Sequence, residues 1–268
     1  MRTFQDDLNK FLRLFARQRR GYPEEIQLEV TNACNLSCAM CPHTFGEIEA
    51  EHFPFESFER LVLMNPAPSR LILTGWGEPL LHPQLFEMIG LVNKEWPKTQ
   101  VRFTTNGIGL TPEVREQIKQ HRVTQISVSM DLWPGHEVRP ELQRFLHPSS
   151  PKTTQNLREY YMQPGIKDKT PVVLQCLLIK ENLEDVKRCI EFAAAIGIHH
   201  VNLVRLQEYP GLPIERPPWK EEQTMIRLLK LLGTEKKVQV RSLNQQPFAV
   251  RLATGFDRIC LKTDDSLY

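Results

Sequence analysis

Three cysteines lie within eight residues of one another near the start of the chain. Cys34, Cys38 and Cys41 follow a C-x3-C-x2-C spacing, directly after an apolar run typical of a β-strand. Thiolates this close together can converge only on one centre, and soft sulfur ligands select zinc or an iron–sulfur cluster. A structural zinc ion takes four protein ligands, and His43 could be the fourth. A cluster held by three thiolates instead leaves one iron open to a small molecule, so both interpretations stand at this point.

A glycine-rich turn follows the second apolar run, over residues 74–79. Gly75 and Gly77 lack a Cβ, so the backbone at these positions can approach a ligand closely. Glu78 offers a carboxylate and Pro79 stiffens the turn. The same residues would also be explained by an ordinary strand-to-helix turn that needs glycine only for its backbone conformation and binds no ligand.

Two further strand ends carry polar tips. The third run ends at Asn106, before a glycine, and the alternation of the fourth places Ser127, Ser129 and Asp131 on one side. Each pattern is weak alone. Barrels and open α/β sheets, however, bind their ligands at the edge formed by the carboxyl ends of parallel strands. The four segments together therefore predict a ligand site at that edge.

Short β-type runs alternate with amphipathic helical stretches, which indicates parallel strands joined by right-handed crossovers and hence an α/β sheet or barrel. The predicted strands are Ile26–Val30, Arg70–Leu73, Gln100–Thr104, Gln125–Ser129, Val172–Leu178, His200–Leu206 and Lys237–Ser242. The predicted helices are Ser57–Met64, Pro83–Glu95, Pro112–Gln120, Thr154–Met162, Leu183–Ile196 and Trp219–Leu232. Gly197 is a good helix stop. A long proline-containing loop joins Leu132 to Pro151, and a further strand begins near Arg258.

Composition narrows the classes of function. The 268 residues include 34 basic and 32 acidic side chains, a net charge of +2, which gives no electrostatic case for nucleic acid. Apolar runs fall short of the ~18–20 residues of a membrane span. Residues 1–23 have apolar side chains on one helical face and a basic end, which predicts an amphipathic helix packed against the domain. Clustered cysteines without a secretory signal favour a reducing, cytoplasmic location.

With these motifs in place, the sequence resembles the radical S-adenosylmethionine (radical SAM) superfamily over residues 24–210. The cysteine loop is the most specific element, and residues 75–79 are similar to the family's Gly-Gly-Glu-Pro motif with Trp76 inserted. The resemblance implies an α/β fold, a partial (β/α)6 barrel of the radical SAM type. Its divisions would be an N-terminal helix (1–23), the barrel core (24–210) and a short C-terminal helix and strand extension (211–268). The chain is similar to members with a SPASM-type C-terminal region, which it is expected to lack.

The resemblance also implies the cofactors and the chemistry. Cys34, Cys38 and Cys41 would hold a [4Fe–4S] cluster whose fourth iron is chelated by S-adenosylmethionine. The implied cofactor-binding residues are Met40, Gly75, Gly77, Glu78, Asn106, Ser129, Asp131 and Val204. An external one-electron donor of the flavodoxin or ferredoxin type would drive cleavage to a 5′-deoxyadenosyl radical. That radical would take a hydrogen atom from a peptide, a protein side chain or a small metabolite, with the reaction subtype left open.

Two other functions stay open at the level of sequence. One is a zinc-stabilised binding module that uses Cys34, Cys38, Cys41 and His43, and the other is a catalytically inactive barrel that keeps its cluster. Five residues of the long loop could line a substrate entrance or could be ordinary loop residues: Trp133, His136, Arg139, Arg144 and His147. Cys260 is expected to be a plain thiol rather than a hydrogen-atom donor or the first cysteine of an auxiliary region.

Overall fold

The computed structural model describes residues 23–38, 40–41, 44, 50–133, 151–206 and 215–243, together with the backbone of two short strands after them. The described chain forms two compact units. The first takes in the described residues up to 34, residues 50–103 and the strands after 245. The second takes in the described residues between 35 and 46 and those between 104 and 245.

The strands are β1 (Glu25–Leu28), β2 (Arg70–Leu73), β3 (Gln100–Thr105), β4 (Gln125–Ser129), β5 (Val172–Leu178), β6 (His200–Arg205), β7 (Gln239–Leu243), β8 (Ala249–Val250) and β9 (Ile259–Lys262). The α-helices are α1 (Phe55–Met64), α2 (Leu85–Glu95), α3 (Pro112–Gln120), α4 (Pro151–Met162), α5 (Ile166–Lys169), α6 (Leu183–Ile196) and α7 (Trp219–Glu235). Single turns of 3₁₀-helix lie at Pro79–Leu81 and Lys180–Asn182.

The first unit is built on the strand order β3-β2-β1-β9-β8. Strands β1, β2 and β3 are parallel, while β9 is antiparallel to both β1 and β8. Alternate residues of the parallel strands are buried, as Ile26 and Leu28 show in β1 and Leu71 and Leu73 in β2. This period of two arises because successive side chains of a strand point to opposite faces.

The second unit is built on β4-β5-β6-β7, and all of its strand pairs are parallel. Helix α6 buries an apolar stripe that includes Val186, Ile190 and Ala193. It ends at Gly197, which has a left-handed φ of 87° and whose N–H donates to carbonyls of the last turn. The predicted glycine stop is therefore confirmed.

The sequence predicted β1–β7 to within two residues at each end, and it predicted the six long helices to within three. Strand β9 confirms the strand expected near Arg258, whereas α5 and β8 were not predicted. The predicted N-terminal helix lies almost wholly outside the described residues, and most of the long loop, 134–150, does so too. The division at residues 23 and 210 stays a prediction. Across the described residues, no helix is both long enough and apolar enough to span a membrane.

Candidate cofactor site

The segment that leads into Cys34 is held from one side by residues 50–53, which we call the strap. The Thr31 hydroxyl donates to the Glu51 carbonyl at 2.9 Å, and the Glu51 N–H donates to the Asn32 side chain at 2.6 Å. Thr31 also forms an isolated antiparallel bridge with His52. Two consecutive residues of the segment are thus fixed by side-chain as well as backbone bonds, which places the start of the cysteine loop.

A buried histidine supports the strap. His82 receives the Gln84 N–H at Nδ1 and donates from Nε2 to the Phe53 carbonyl, each at 3.0 Å. These two bonds together define a neutral imidazole with its proton on Nε2. Burial lowers the pKa of His82 below its ordinary value, and the nearby His52 ring, with centroids 5.1 Å apart, adds to this.

The glycine turn packs against the same segment from the other side. A Cβ built on Gly77 would overlap the Thr31 carbonyl and would lie 2.8 Å from the Ala33 carbonyl oxygen. The Glu78 N–H donates to that same Ala33 oxygen at 2.8 Å. Both groups met by the missing side chain are backbone, so they cannot rotate away. The glycine therefore allows the turn and the cysteine loop to touch.

Glu29 completes this contact, and sequence reasoning missed it. Its carboxylate is 3% exposed, accepts the Trp76 N–H, and occupies the space that a Cβ on Gly75 would need. The glycine motif of this chain contains one extra residue, Trp76, and Glu29 is what binds the N–H of that residue. The available signal was the position of Glu29, which continues the alternation of Glu25 and Gln27 one residue beyond the end of β1.

Glu78 is buried at 3% exposure and closes the turn. Its Oε1 accepts the Leu80 N–H at 3.2 Å, so the carboxylate caps the 3₁₀ turn that follows. Negative charge at the start of a helical turn is favourable because it meets unbonded N–H groups.

Cys38 and Cys41 lie on one tight turn of the second unit. The Cys41 N–H donates to the Cys38 carbonyl at 2.9 Å, and the Thr44 hydroxyl donates to the same carbonyl at 2.7 Å. The thiols of Cys34, Cys38 and Cys41 are half-buried, whereas those of Cys176 and Cys189 are fully buried. The loop therefore carries the accessible thiols among these five.

Asn106 contacts the cysteine loop directly. Its Nδ2 donates to the Asn35 side-chain oxygen at 2.7 Å, and its Oδ1 accepts the Ile108 N–H at 3.0 Å. Helix α4 fixes the other side of this turn, since the Thr153 hydroxyl donates to the Asn106 carbonyl at 3.0 Å. The fully buried Asn156 donates to the next two carbonyls. The predicted residue thus positions the loop between its first two cysteines.

Met40 and Val204, two of the predicted cofactor-binding residues, pack on the same group of side chains. Both pack against a group of buried apolar side chains, here called the apolar cluster: Leu132, Leu177, Ile179 and Leu206. Met40 directly precedes Cys41, so this cluster adjoins the cysteine loop.

Asp131 and Ser129 occupy different environments. Asp131 is 3% exposed, and its Oδ1 accepts the Leu177 N–H at 2.7 Å, which ties the end of β4 to β5. The buried Asn182 donates to the Asp131 carbonyl at 2.9 Å. Ser129 is half-buried and stands opposite Gln175 in the β4–β5 register. Ser129 and Asp131 thus lie at the carboxyl end of β4, where the sequence predicted them.

Of the five loop residues considered for a substrate entrance, the structure describes only Trp133. Its N–H donates to the Asp185 carboxylate at 2.8 Å, and its ring lies 5.3 Å from that of Phe192. It lines a shallow cleft of about 410 Å³ between α4 and α6. The other four residues, His136, Arg139, Arg144 and His147, lie outside the described part of the chain.

The family assignment follows from comparison with known proteins. The profile of the radical SAM superfamily matches residues 28–204, which include the cysteine loop, the glycine turn and strands β2–β5. The chain belongs to the radical SAM superfamily. Enzymes of this superfamily use a [4Fe–4S] cluster and S-adenosylmethionine, which confirms the two cofactors and the enzyme class expected from the sequence.

Curated relatives of this radical SAM protein act on different substrates. It is 24% identical to a tungsten-containing aldehyde ferredoxin oxidoreductase cofactor-modifying protein of Pyrococcus furiosus, over 65% of this chain and 49% of the relative. It is 29% identical to a probable GTP 3′,8-cyclase of Metallosphaera sedula, over 70% of this chain and 57% of the relative. The chain thus spans about half the length of the curated relatives it matches.

The fold is that of solved radical SAM structures. The crystal structure of Streptococcus suis SuiB bound to S-adenosylmethionine matches with a TM-score of 0.67 at 13% identity, over 84% of this chain and 51% of SuiB. SuiB bound to its precursor peptide SuiA matches with the same TM-score, over 90% and 52%. This likeness confirms the predicted α/β fold of the radical SAM partial-barrel type.

The donor set of this radical SAM chain fits an iron–sulfur cluster in chemistry, because three accessible thiols stand at the family's spacing. Across the described residues, no three or more His, Cys, Asp or Glu side chains are gathered so as to hold a metal ion. His43, on which the zinc alternative depends, lies outside the described residues.

Proposed function

We propose that the chain is a radical SAM enzyme that takes a hydrogen atom from the carbon skeleton of a peptide or of a cofactor precursor. When bound, the reduced cluster would supply one electron that cleaves S-adenosylmethionine to methionine and a 5′-deoxyadenosyl radical, and this radical would abstract that hydrogen. The family match carries the proposal, and the packing of the glycine turn onto the cysteine loop supports it.

The cysteine loop would bind the cluster through the thiolates of Cys34, Cys38 and Cys41. The strap and the glycine turn hold the residues before Cys34, and Asn106 holds Asn35 just after it. A cluster bound here would have its first ligand placed by backbone contacts on two sides. Precise placement matters because the protein's part in cofactor chemistry is orientation and electrostatics.

The remaining predicted cofactor-binding residues form a polar group and an apolar group, which would contact different parts of S-adenosylmethionine. The turn at Gly75, Gly77 and Glu78 would meet the methionyl amino group with backbone carbonyls and a carboxylate. Ser129 and Asp131 would meet the ribose or the methionyl carboxylate. Met40 and Val204, which pack on the apolar cluster, would contact the adenine. Aliphatic walls also exclude water from the reacting centre, which protects a radical from being quenched.

The substrate proposal draws on the relatives. One is a cofactor-modifying protein, another is a probable nucleotide cyclase, and SuiB has been crystallised with a precursor peptide. We infer a peptide or a cofactor precursor as the substrate of this chain, and a flavodoxin- or ferredoxin-type protein as its electron donor. A location in the cytoplasm accords with an oxygen-sensitive cluster.

The experiment is anaerobic reconstitution with iron and sulfide, followed by assays for iron and for 5′-deoxyadenosine released with dithionite. The wild type should bind about four iron atoms per chain and release 5′-deoxyadenosine. Cys38→Ala should lose both, because two thiolates cannot hold the cluster. Cys189→Ala, which removes a buried thiol outside the loop, is the matched control and should retain the iron. Stoichiometric zinc that is lost in His43→Ala would support the binding module instead.

A further inference from the structure

The parallel strands of the second unit have two unlike faces. On one face most side chains are apolar and buried, and these are at most 1% exposed: Ile126, Val128, Met130, Leu174, Cys176, Val201 and Leu203. On the other face most side chains of β4 and β6 are half-buried and many are polar. Parallel sheets are usually covered on both faces. A half-exposed polar face in such a sheet is therefore the surface on which to look for a ligand.

One lateral row of this face is polar on every strand. The register pairs Ser129 with Gln175, Gln175 with Asn202, and Asn202 with Arg241, across β4, β5, β6 and β7. We call Gln175, Asn202 and Arg241 the polar row. Adjacent strands lie about 4.8 Å apart, so the three side chains form a nearly continuous line about 10 Å long.

The two amides of this row make no side-chain hydrogen bond to the described residues. Gln175 and Asn202 are half-buried and face each other across the β5–β6 pairing without a bond between them. Arg241 donates only to the neighbouring Gln239 oxygen, at 2.6 Å, within the described part of the chain. One layer below Asn202, the Nδ1 atom of His200 is buried without a partner there. Amide side chains without such hydrogen bonds are stabilised most by a ligand that can both donate and accept hydrogen bonds.

The polar row lies one side-chain layer from the apolar cluster. Two residues further along the strands, Leu177 pairs with Val204, and both contribute to the packing around Met40. Two residues of a parallel strand span about 6.6 Å, so the polar row is one side-chain layer below the surface proposed for adenine. A substrate bound to the row would thus lie next to the nucleotide.

We propose that the polar row binds the substrate, and that the substrate is a peptide segment with an acidic side chain near the modified residue. The inference rests on the proposed function and names its substrate class. Gln175 and Asn202 each offer a donor and an acceptor, which complements the peptide group. Arg241 supplies a cation at the end of the row for a carboxylate.

The charge of this face argues against a nucleotide triphosphate. Arg241 is the one arginine or lysine among the described residues that line this face of β4–β7. Recognition of several phosphates calls for several cations or helix N-termini around them. A single guanidinium beside two neutral amides suits one carboxylate and a peptide backbone instead.

The test uses holoenzyme loaded with cluster and S-adenosylmethionine, and three probes. The probes are acetyl-Gly-Ala-Glu-Ala-Gly-amide, the same peptide with Gln in place of Glu, and GTP. Dissociation constants are measured by anaerobic calorimetry. The acidic peptide should bind the wild type about tenfold more tightly than the Gln peptide, and Arg241→Met should abolish that difference. Gln175→Leu and Asn202→Leu should each weaken both peptides at least about fivefold.

Gln120→Leu, at the exposed end of α3, is the matched control and should bind both peptides as the wild type does. Iron content and melting temperature establish that each variant is folded. Peptide binding that is absent in the wild type, equal in Gln175→Leu and Asn202→Leu, or weaker than that of GTP would overturn the proposal. A wild type that releases no 5′-deoxyadenosine with dithionite would instead refute the proposed function, so the two failures are distinct.

Discussion

The single carboxylate of Glu29 links the two motifs that the sequence displays most clearly. It is buried at the end of β1, five residues before Cys34, and it binds the N–H of Trp76 in the glycine turn. A buried acceptor that satisfies a turn N–H fixes that turn's path, because leaving the donor unbonded costs about 1–3 kcal/mol. We therefore regard Glu29 as a positioning residue for the turn proposed to meet S-adenosylmethionine.

Replacing Glu29 with alanine should weaken S-adenosylmethionine binding about tenfold while the iron content stays near that of the wild type. Glu29→Gln keeps an acceptor oxygen at the same place and should restore most of the affinity. The measurement is a titration of the reduced cluster's electron paramagnetic resonance signal with S-adenosylmethionine. Glu25→Ala serves as the control, since Glu25 lies on the same strand but pairs with Arg70. Wild-type affinity in Glu29→Ala would contradict this role.

At the scale of elements, the cysteine loop is held by neighbours that come from separate parts of the sequence. The strap bonds to Thr31 and Asn32, the glycine turn packs on the Thr31 and Ala33 carbonyls, and the turn after β3 bonds to Asn35. Each neighbour is a loop placed by a regular strand or helix behind it. Rigid support of this kind is how loops on a scaffold come to carry binding residues.

Gly77→Ala should separate the glycine turn from the cysteine loop, because its Cβ would collide with two backbone carbonyls. We expect a loss of about 1–3 kcal/mol in the free energy of unfolding, together with a large loss of 5′-deoxyadenosine release. Gly165→Ala is the comparison, since nothing lies within 4 Å of its Cβ and only its φ of +77° opposes the change. It should be destabilised by about 1 kcal/mol and keep its cleavage activity. If both variants cleave alike, the close contact at Gly77 has no functional role.

Sequence patterns anticipated the elements well and the contacts poorly. The period-two burial of β1, with Ile26 and Leu28 inside, is visible in the sequence because apolar and polar residues alternate. The bond from Asn106 to Asn35 spans 71 positions, and nothing local in either residue indicates the other as its partner. Gly75 and Gly77 were expected to leave room for a ligand, yet the protein's own Glu29, Thr31 and Ala33 occupy the space beside them. Patterns reveal burial, whereas long-range hydrogen bonds depend on the assembled fold.

For the whole molecule, the chain matches about half the length of its curated relatives, and that half is the radical SAM core. Within that core, the described polar groups of the loops are mostly bonded, and two histidines are held with lowered pKa values. Burial is the largest cause for both His82 and His200, and the charge of Arg241 adds to the effect at His200. The stability of the folded chain is therefore linked to pH.

Acidification from pH 7 to pH 5 should lower the free energy of unfolding. The folded pKa of His82 lies below the unfolded value near 6.5, so between the two the unfolded chain binds more protons. Stability from this group is full above about pH 7 and declines as the pH falls. The measurement is denaturant unfolding at several pH values, in which His82→Gln should show a shallower pH dependence than the wild type. Gln120→Leu, at the exposed end of α3, removes no titratable group and should keep the wild-type slope. A wild type that is equally stable at pH 5 and pH 7 would refute this linkage.

The proposed chemistry requires that the three-cysteine loop hold a cluster whose open iron binds S-adenosylmethionine. The most direct measurement is the electron paramagnetic resonance spectrum of the reduced, reconstituted protein before and after S-adenosylmethionine is added. We predict a [4Fe–4S]⁺ signal that shifts on addition and that is absent in Cys34→Ala, Cys38→Ala and Cys41→Ala. A signal that S-adenosylmethionine leaves unchanged, or one that survives loss of any of the three thiols, would show that the loop does not hold such a cluster.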